Sequence, residues 1–160
     1  MIGNDGIPRV LEFNCRFGDP ETQPIMMRLK TDLVMSCLQV LDGEARSVSL
    51  EWDQRVALGV VLAAGGYPAA YEKGQEIAGL QDDEDVHTYV FHAGTRLEAG
   101  RYVTNGGRVL CVVGRGESVK DAQEVAYRRI ATINWPGMFF RNDIGYRAVI
   151  RETNGIDEDE

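Results

Sequence analysis

Glu12-Phe13-Asn14-Cys15-Arg16-Phe17-Gly18-Asp19-Pro20-Glu21-Thr22-Gln23 is the stretch on which the reading of the whole chain turns. Leu11, Phe13 and Cys15 alternate with Glu12, Asn14 and Arg16. A period of two predicts a strand over Ile7 to Arg16, apolar on one face and polar on the other. On the polar face a carboxylate, a carboxamide and a guanidinium follow one another at steps of about 7 Å. Such a row can hold a hard cation together with phosphate oxygens, and it equally describes an ordinary wetted sheet face. Gly18 and Pro20 then turn the chain, which leaves Asp19 and Glu21 at the mouth of whatever the strand floors.

Upstream, Asn4-Asp5-Gly6 is a turn signal, and Met1-Ile2 is too short to pair with the predicted strand. The expectation is that the chain is the later part of a longer protein. Downstream, Pro24 suits a first helical turn, and Ile25, Met26, Leu29, Leu33, Cys37, Leu38 and Leu41 recur at three and four. This predicts a single amphipathic helix ended by Asp42-Gly43. Its first N–H groups fall beside Asp19 to Thr22, where an anion such as phosphate or a carboxylate cap from Asp19 or Glu21 would satisfy them.

Val56 to Ala64 is an almost unbroken apolar run closed by Gly65-Gly66-Tyr67-Pro68, as in a strand buried on both faces. Beyond an acidic loop, Gln81 to Asp85, strands are predicted over Thr88 to Thr95 and Arg101 to Thr104. Asn105-Gly106 then reads as a hairpin turn, with Arg108 to Gly114 as the returning partner. Ser118 and Asp121 resemble a capping box for a helix that buries Val119, Ala122, Val125, Ala126, Ile130 and Ile133. Phe139 to Arg147 has no clean period. Asp143 and Arg147 there suit either closure over a phosphate or a mutual ion pair.

The chain has 160 residues, 44% hydrophobic and 26% charged, which suits a globular protein with a real core. Seventeen Lys and Arg against 25 Asp and Glu leave a net charge of -8, which argues against sequence-independent nucleic-acid binding. Cys15, Cys37 and Cys111 lack metal-ligand spacing and lie in apolar stretches, so buried reduced thiols and a cytoplasmic setting are expected. No signal sequence or membrane-length apolar run occurs, and Asp157 to Glu160 read as a solvated acidic tail. His92, alone in an apolar strand, is expected to be structural, and His87 to be a surface residue.

Five blocks in order carry a resemblance: Glu12 to Gln23; Gly59 to Pro68; Phe91-His92-Ala93-Gly94-Thr95; Thr104-Asn105-Gly106-Gly107-Arg108-Val109-Leu110; and Asp143-Ile144-Gly145-Tyr146-Arg147. Together they resemble the C-terminal part of the glycinamide ribonucleotide synthetases, or phosphoribosylamine-glycine ligases, of the ATP-grasp superfamily. The resemblance implies an α+β fold. Residues 1–50 would end an ATP-grasp sheet and supply its following helix. Residues 51–152 would form a small antiparallel domain with one packed helix, and residues 153–160 a disordered acidic tail.

The resemblance also implies a ligase of purine biosynthesis, in which ATP activates glycine as glycyl phosphate and 5-phosphoribosylamine attacks it. Glu12 and Asn14 then match metal ligands for magnesium or manganese, with ATP as co-substrate, and Arg16 a catalytic contact to the transferring phosphoryl group. Asp19, Glu21, Thr22, Gly106, Gly107 and Arg108 are candidate substrate-binding residues. The implied partner is the N-terminal part of the ligase, with no nucleic acid and no membrane, and the fragment alone is expected to be inactive. Another ATP-grasp ligase or carboxylase of the same pathway, or a non-catalytic module that has kept the fold, are the alternatives.

Overall fold

The computed structural model describes residues 1–80 and 85–155. Most of the acidic loop, 81–84, and the acidic end, 156–160, lie outside the described residues. The centre of the fold is a three-stranded antiparallel sheet of β1 (Val56–Ala63), β2 (Thr88–His92) and β5 (Arg108–Gly116), in the order β1-β5-β2. β3 (Thr95–Glu98) and β4 (Arg101–Thr104) form a separate hairpin. Its turn has positive φ at both Ala99 and Gly100, as the mirror-image two-residue turns that match strand twist require.

The two faces of the central sheet are covered by different helices. Leu58, Val60 and Leu62 of β1 and Leu110 and Val112 of β5 point to α3 (Val119–Ile130), where Ala122, Ala126 and Ile130 complete a core that is nearly fully buried. Close approach is possible because Gly114 has no side chain: a Cβ there would sit 2.3 Å from the Ala122 carbonyl oxygen. The capping box is present as predicted, with Ser118 accepting from the Asp121 N–H and Asp121 accepting from the Ser118 N–H. On the opposite face lies α1 (Thr22–Arg28), and a Cβ on Gly59 would meet Pro24 Cγ at 3.0 Å. The run Val56 to Ala64 is therefore covered on both sides, as its composition predicts.

Several expectations fail for identifiable reasons. Ile7 to Arg16 forms no strand; Ile2 and Pro8 make one isolated bridge, and the apolar set Leu11, Phe13 and Cys15 is exposed with the rest. An extended segment becomes a strand only with a ladder partner, and none of the described residues supplies one. The single helix predicted from Pro24 to Leu41 is two, α1 and α2 (Leu33–Leu41). Leu29 is extended and bridges Trp52, Lys30 N–H donates to Glu51 O at 2.9 Å, and Asp32 caps α2 by accepting from Met35 N–H at 3.0 Å. Apolar spacing continued through that break because the pattern does not register backbone pairing with a distant segment.

Asn105-Gly106 is not a hairpin turn between β4 and β5. β4 pairs with β3 while β5 pairs with β1 and β2, and the Asn105 to Gly107 link crosses from one sheet to the other. A last helix, α4 (Tyr146–Asn154), was not anticipated; Glu152 on it accepts from the Val119 N–H at 2.9 Å and so fastens it to the start of α3. Asp143 pairs with Arg141 at 2.8 Å and not with Arg147, which lies over the Tyr146 ring. Of the three thiols only Cys111 is buried; Cys15 and Cys37 are exposed.

Leu62 has no exposed surface, so Leu62→Ala is expected to cost about 2–5 kcal/mol of unfolding free energy in a denaturant titration. Ser118→Ala, which removes one cap, should cost about 1 kcal/mol.

Candidate functional site

The loop before α1 and the start of β5 meet across an open cavity of about 280 Å³. Its wall includes Asp19 and Gln23 on one side and Tyr67, Gly107, Arg108 and Cys111 on the other. Two features of β5 bring Arg108 here. First, Leu62 pairs with Leu110 but Ala63 pairs with Arg108, so Val109 is the extra residue of a β-bulge. The bulge switches the alternation, and Arg108 joins the α1 face that Cys111 also occupies instead of entering the α3 core. Second, Gly107 lets Tyr67 lie against the backbone: a Cβ on Gly107 would fall 2.1 Å from a ring carbon of Tyr67.

Arg108 Nη2 donates to Asp19 Oδ2 at 2.8 Å, joining two segments 89 residues apart in the chain. Both side chains remain substantially exposed, 44% and 61%, so the pair is open to solvent and to competing ligands and adds little to stability. Beside it, Gln23 Oε1 is buried with no hydrogen-bond partner. A buried acceptor without a donor is costly, and a ligand hydroxyl or amine would relieve it. Burial, and after it the Asp19 carboxylate, pushes the Cys111 thiol up to about 11. The wall thus offers one cation, one anion, one unpaired acceptor and an inert thiol.

The predicted site residues separate into two groups. Asp19, Gly107 and Arg108 come together at the cavity, while Glu12, Asn14 and Arg16 lie on the exposed arm and line none of it. Within the arm, Asn14 Nδ2 donates to Glu12 Oε1 at 3.2 Å and Arg16 Nη1 donates to Phe17 O at 3.2 Å. No group of three His, Cys, Asp or Glu side chains suited to a metal occurs among the described residues. Glu12 and Asn14 in mutual reach nevertheless give a carboxylate and a carboxamide oxygen, a donor set that fits a hard cation also held by phosphate oxygens.

The remaining predicted residues have local duties. Thr22 Oγ1 donates to Gly18 O at 2.5 Å, and Glu21 stands at the start of α1 without a side-chain cap bond. Neither carboxylate caps this seven-residue helix, since Asp19 turns to Arg108 instead. Gly106 packs on Gly94, where a Cβ would lie 2.6 Å from the Gly106 Cα. His92 contacts Thr95 Oγ1 at 3.0 Å and stacks against Tyr102, and partial burial lowers its imidazolium from the ordinary range. Gln23, Tyr67 and Cys111 were missed as wall residues. All three lie in or beside quoted motifs, but only the fold shows that they face one cavity.

With a thiol at about 11 and only 2% of its surface exposed, Cys111 should resist alkylation at pH 8. Iodoacetamide should label Cys15 and Cys37 in the folded chain and reach Cys111 only after denaturation, as read by mass spectrometry. Labelling of all three at similar rates would mean that α1 does not stay on the sheet.

The family described as phosphoribosylglycinamide synthetase, C domain, matches residues 57–147. The phosphoribosylamine--glycine ligase of Vibrio vulnificus is 58% identical over 152 residues, which cover 95% of this chain and 35% of that protein. The corresponding ligase of Allochromatium vinosum is 56% identical over 152 residues, covering 95% of this chain and 36% of the relative. The crystal structure of phosphoribosylamine--glycine ligase from Thermotoga maritima superposes with a TM-score of 0.73 at 38% identity, over 88% of this chain and 34% of that one. The chain spans about a third of the length of these relatives, and its mixed α and β architecture agrees with that of the Thermotoga maritima enzyme over the matched part. On the extent of the match over β1 to the start of α4, it belongs to the phosphoribosylglycinamide synthetase C-domain family.

Proposed function

We propose that this chain supplies the C-terminal part of an ATP-dependent ligase that joins glycine to 5-phosphoribosylamine through glycyl phosphate. The observation that carries the reading is the Asp19–Arg108 pair across an open cavity, because it unites the two motif blocks that the resemblance assigns to substrate. Arg108 is the wall's cation and suits the phosphate of the ribosylamine. Asp19, released when a phosphate takes its place on Arg108, can accept from the substrate amine, and Gln23 Oε1 from a ribose hydroxyl. Gly107 would offer its backbone to that ligand beside the Tyr67 ring, and Gly106, packed on Gly94, would set the course of the link that carries it there.

Glu12 and Asn14 would hold magnesium or manganese on the exposed arm. The cation would supply charge compensation for phosphoryl transfer from ATP, with the Glu12 carboxylate and the Asn14 carboxamide oxygen as its protein donors. Arg16 on the same arm is the contact to the transferring phosphoryl group, and Glu21 and Thr22 complete the substrate loop. A free amine needs positioning more than a general base, so the wall's task is to hold it near the acyl phosphate.

On this reading residues 1–50 belong with an ATP-grasp body, 51–152 form the C-terminal domain and 153–160 a tail. α4 continues through Asn154, two residues past that boundary, and 156–160 lie outside the described residues. Val10, Leu11 and Phe13 of the arm and Val34, Met35 and Leu41 of α2 are exposed, apolar surface of the kind that an interaction partner covers. The N-terminal part of the ligase is the partner that would cover it. No helix among the described residues is long and apolar enough to cross a membrane.

Incubated with ATP, magnesium, glycine and 5-phosphoribosylamine, this chain alone should form no glycinamide ribonucleotide, whereas the chain joined to the preceding two thirds of the ligase should. In the joined protein, Glu12→Gln should lower turnover by about a hundredfold or more and raise the magnesium requirement, as expected for loss of a charge-stabilising contact. Turnover by the chain alone, or an unaffected Glu12→Gln enzyme, would contradict the proposal.

A further inference from the structure

β5 carries an arginine near each end on the face that α1 covers. Arg108 reaches Asp19 just before α1, and Arg115 Nη1 donates to Met27 O, near the helix's other end, at 3.2 Å. The other terminal nitrogen of Arg115 donates to Val86 O, and its Nε is buried without a partner. Residues 19–28 are therefore tied to one strand at both ends. Between the ties lies a close contact, Pro24 on Gly59.

Asp53 organises the Arg115 end. It is only 8% exposed, and its carboxylate accepts from Arg55 N–H and Nε at 3.0 Å, from Arg55 Nη2 at 2.5 Å and from Arg115 Nη1 at 3.3 Å. Its backbone grips the end of α1 as well: Asp53 N–H donates to Arg28 O at 2.7 Å, and Arg28 Nε donates to Asp53 O at 3.2 Å. One residue thus holds the last turn of α1 by its main chain and β5 by its side chain. The Arg55 hydrogen bonds, and behind them the Arg115 charge, keep the carboxyl well below the usual aspartate range. Removing it would leave Arg115 half-enclosed without its counter-ion, a much larger loss than that of a surface pair.

A seven-residue helix spans about 10 Å and moves as a rigid piece. With Pro24 resting on Gly59, release of the Arg28 end tilts the opposite end, which carries Asp19 and Gln23. We propose that Asp53 is a positioning residue, which by clamping α1 to β5 holds Asp19 and Gln23 in register with Arg108 for a phosphosugar ligand. The proposal rests on the substrate reading of that cavity.

Ribose 5-phosphate titrated into the 160-residue chain, followed through the backbone amide signals of Gly106, Gly107 and Arg108, tests it, with hydrogen exchange measured in parallel. The wild type should shift these signals; Asp53→Asn should bind at least about tenfold more weakly, the scale of one lost charged hydrogen bond. Amides of α1 should exchange faster in the variant while Val60 and Val112 stay protected, and Asp53→Glu should recover part of the affinity. Should Asp53→Asn fail to fold, Arg115→Lys, which keeps the charge but not the reach to both carbonyls, should show the same local pattern. Wild-type binding that either folded variant retains in full would overturn the positioning role and leave the cavity reading intact. No response from the wild type would overturn the cavity reading itself, and the proposal with it.

Discussion

The pairing of β5 with β1 is the constraint from which the rest of the structure follows. It buries Val60, Leu62, Leu110 and Val112 against α3 on one face and leaves the small residues Ala57 and Gly59 on the other, where α1 can lie close. The bulge at Val109 then decides where Arg108 goes. Without it, the alternation would aim a guanidinium into a core of aliphatic side chains, where its charge would have no partner. One irregularity in one ladder therefore gives both a continuous core and a cation in the cavity wall. It is also the reason two arginines seven residues apart can both reach the same helix segment.

Much of the domain was legible because its signals are local. Val56 to Ala64 is apolar and β-branched enough to be a covered strand, and Ser118 with Asp121 marks the start of α3. What was not legible depends on pairing at a distance. Leu29 bridges Trp52 and splits a helix that periodicity would continue; β4 chooses β3 over β5, so Asn105-Gly106 is a crossing and not a hairpin. The site shows the same division. The motif blocks pointed to Asp19, Gly107 and Arg108, but the unpaired Gln23 acceptor and the Tyr67 ring became wall residues only once the fold brought them round the cavity.

Residues 1–17 stand apart from this compact domain. Their alternation is that of a strand, yet Val10 to Phe17 are exposed and join no ladder among the described residues, and α2 likewise turns its apolar side chains outward. Local pattern and tertiary surroundings disagree in this one region, and they agree nearly everywhere else. Such a conflict marks a segment whose strand pattern no ladder among the described residues satisfies.

A crystal structure of the joined ligase with glycinamide ribonucleotide bound would test the central claim, that the Asp19–Arg108 cavity is a substrate wall. The ribosyl phosphate is expected on Arg108, with Asp19 turned away from the guanidinium and a ligand donor within hydrogen-bond reach of Gln23 Oε1. Product bound elsewhere, with the Asp19–Arg108 pair intact and Gln23 still without a donor, would contradict it.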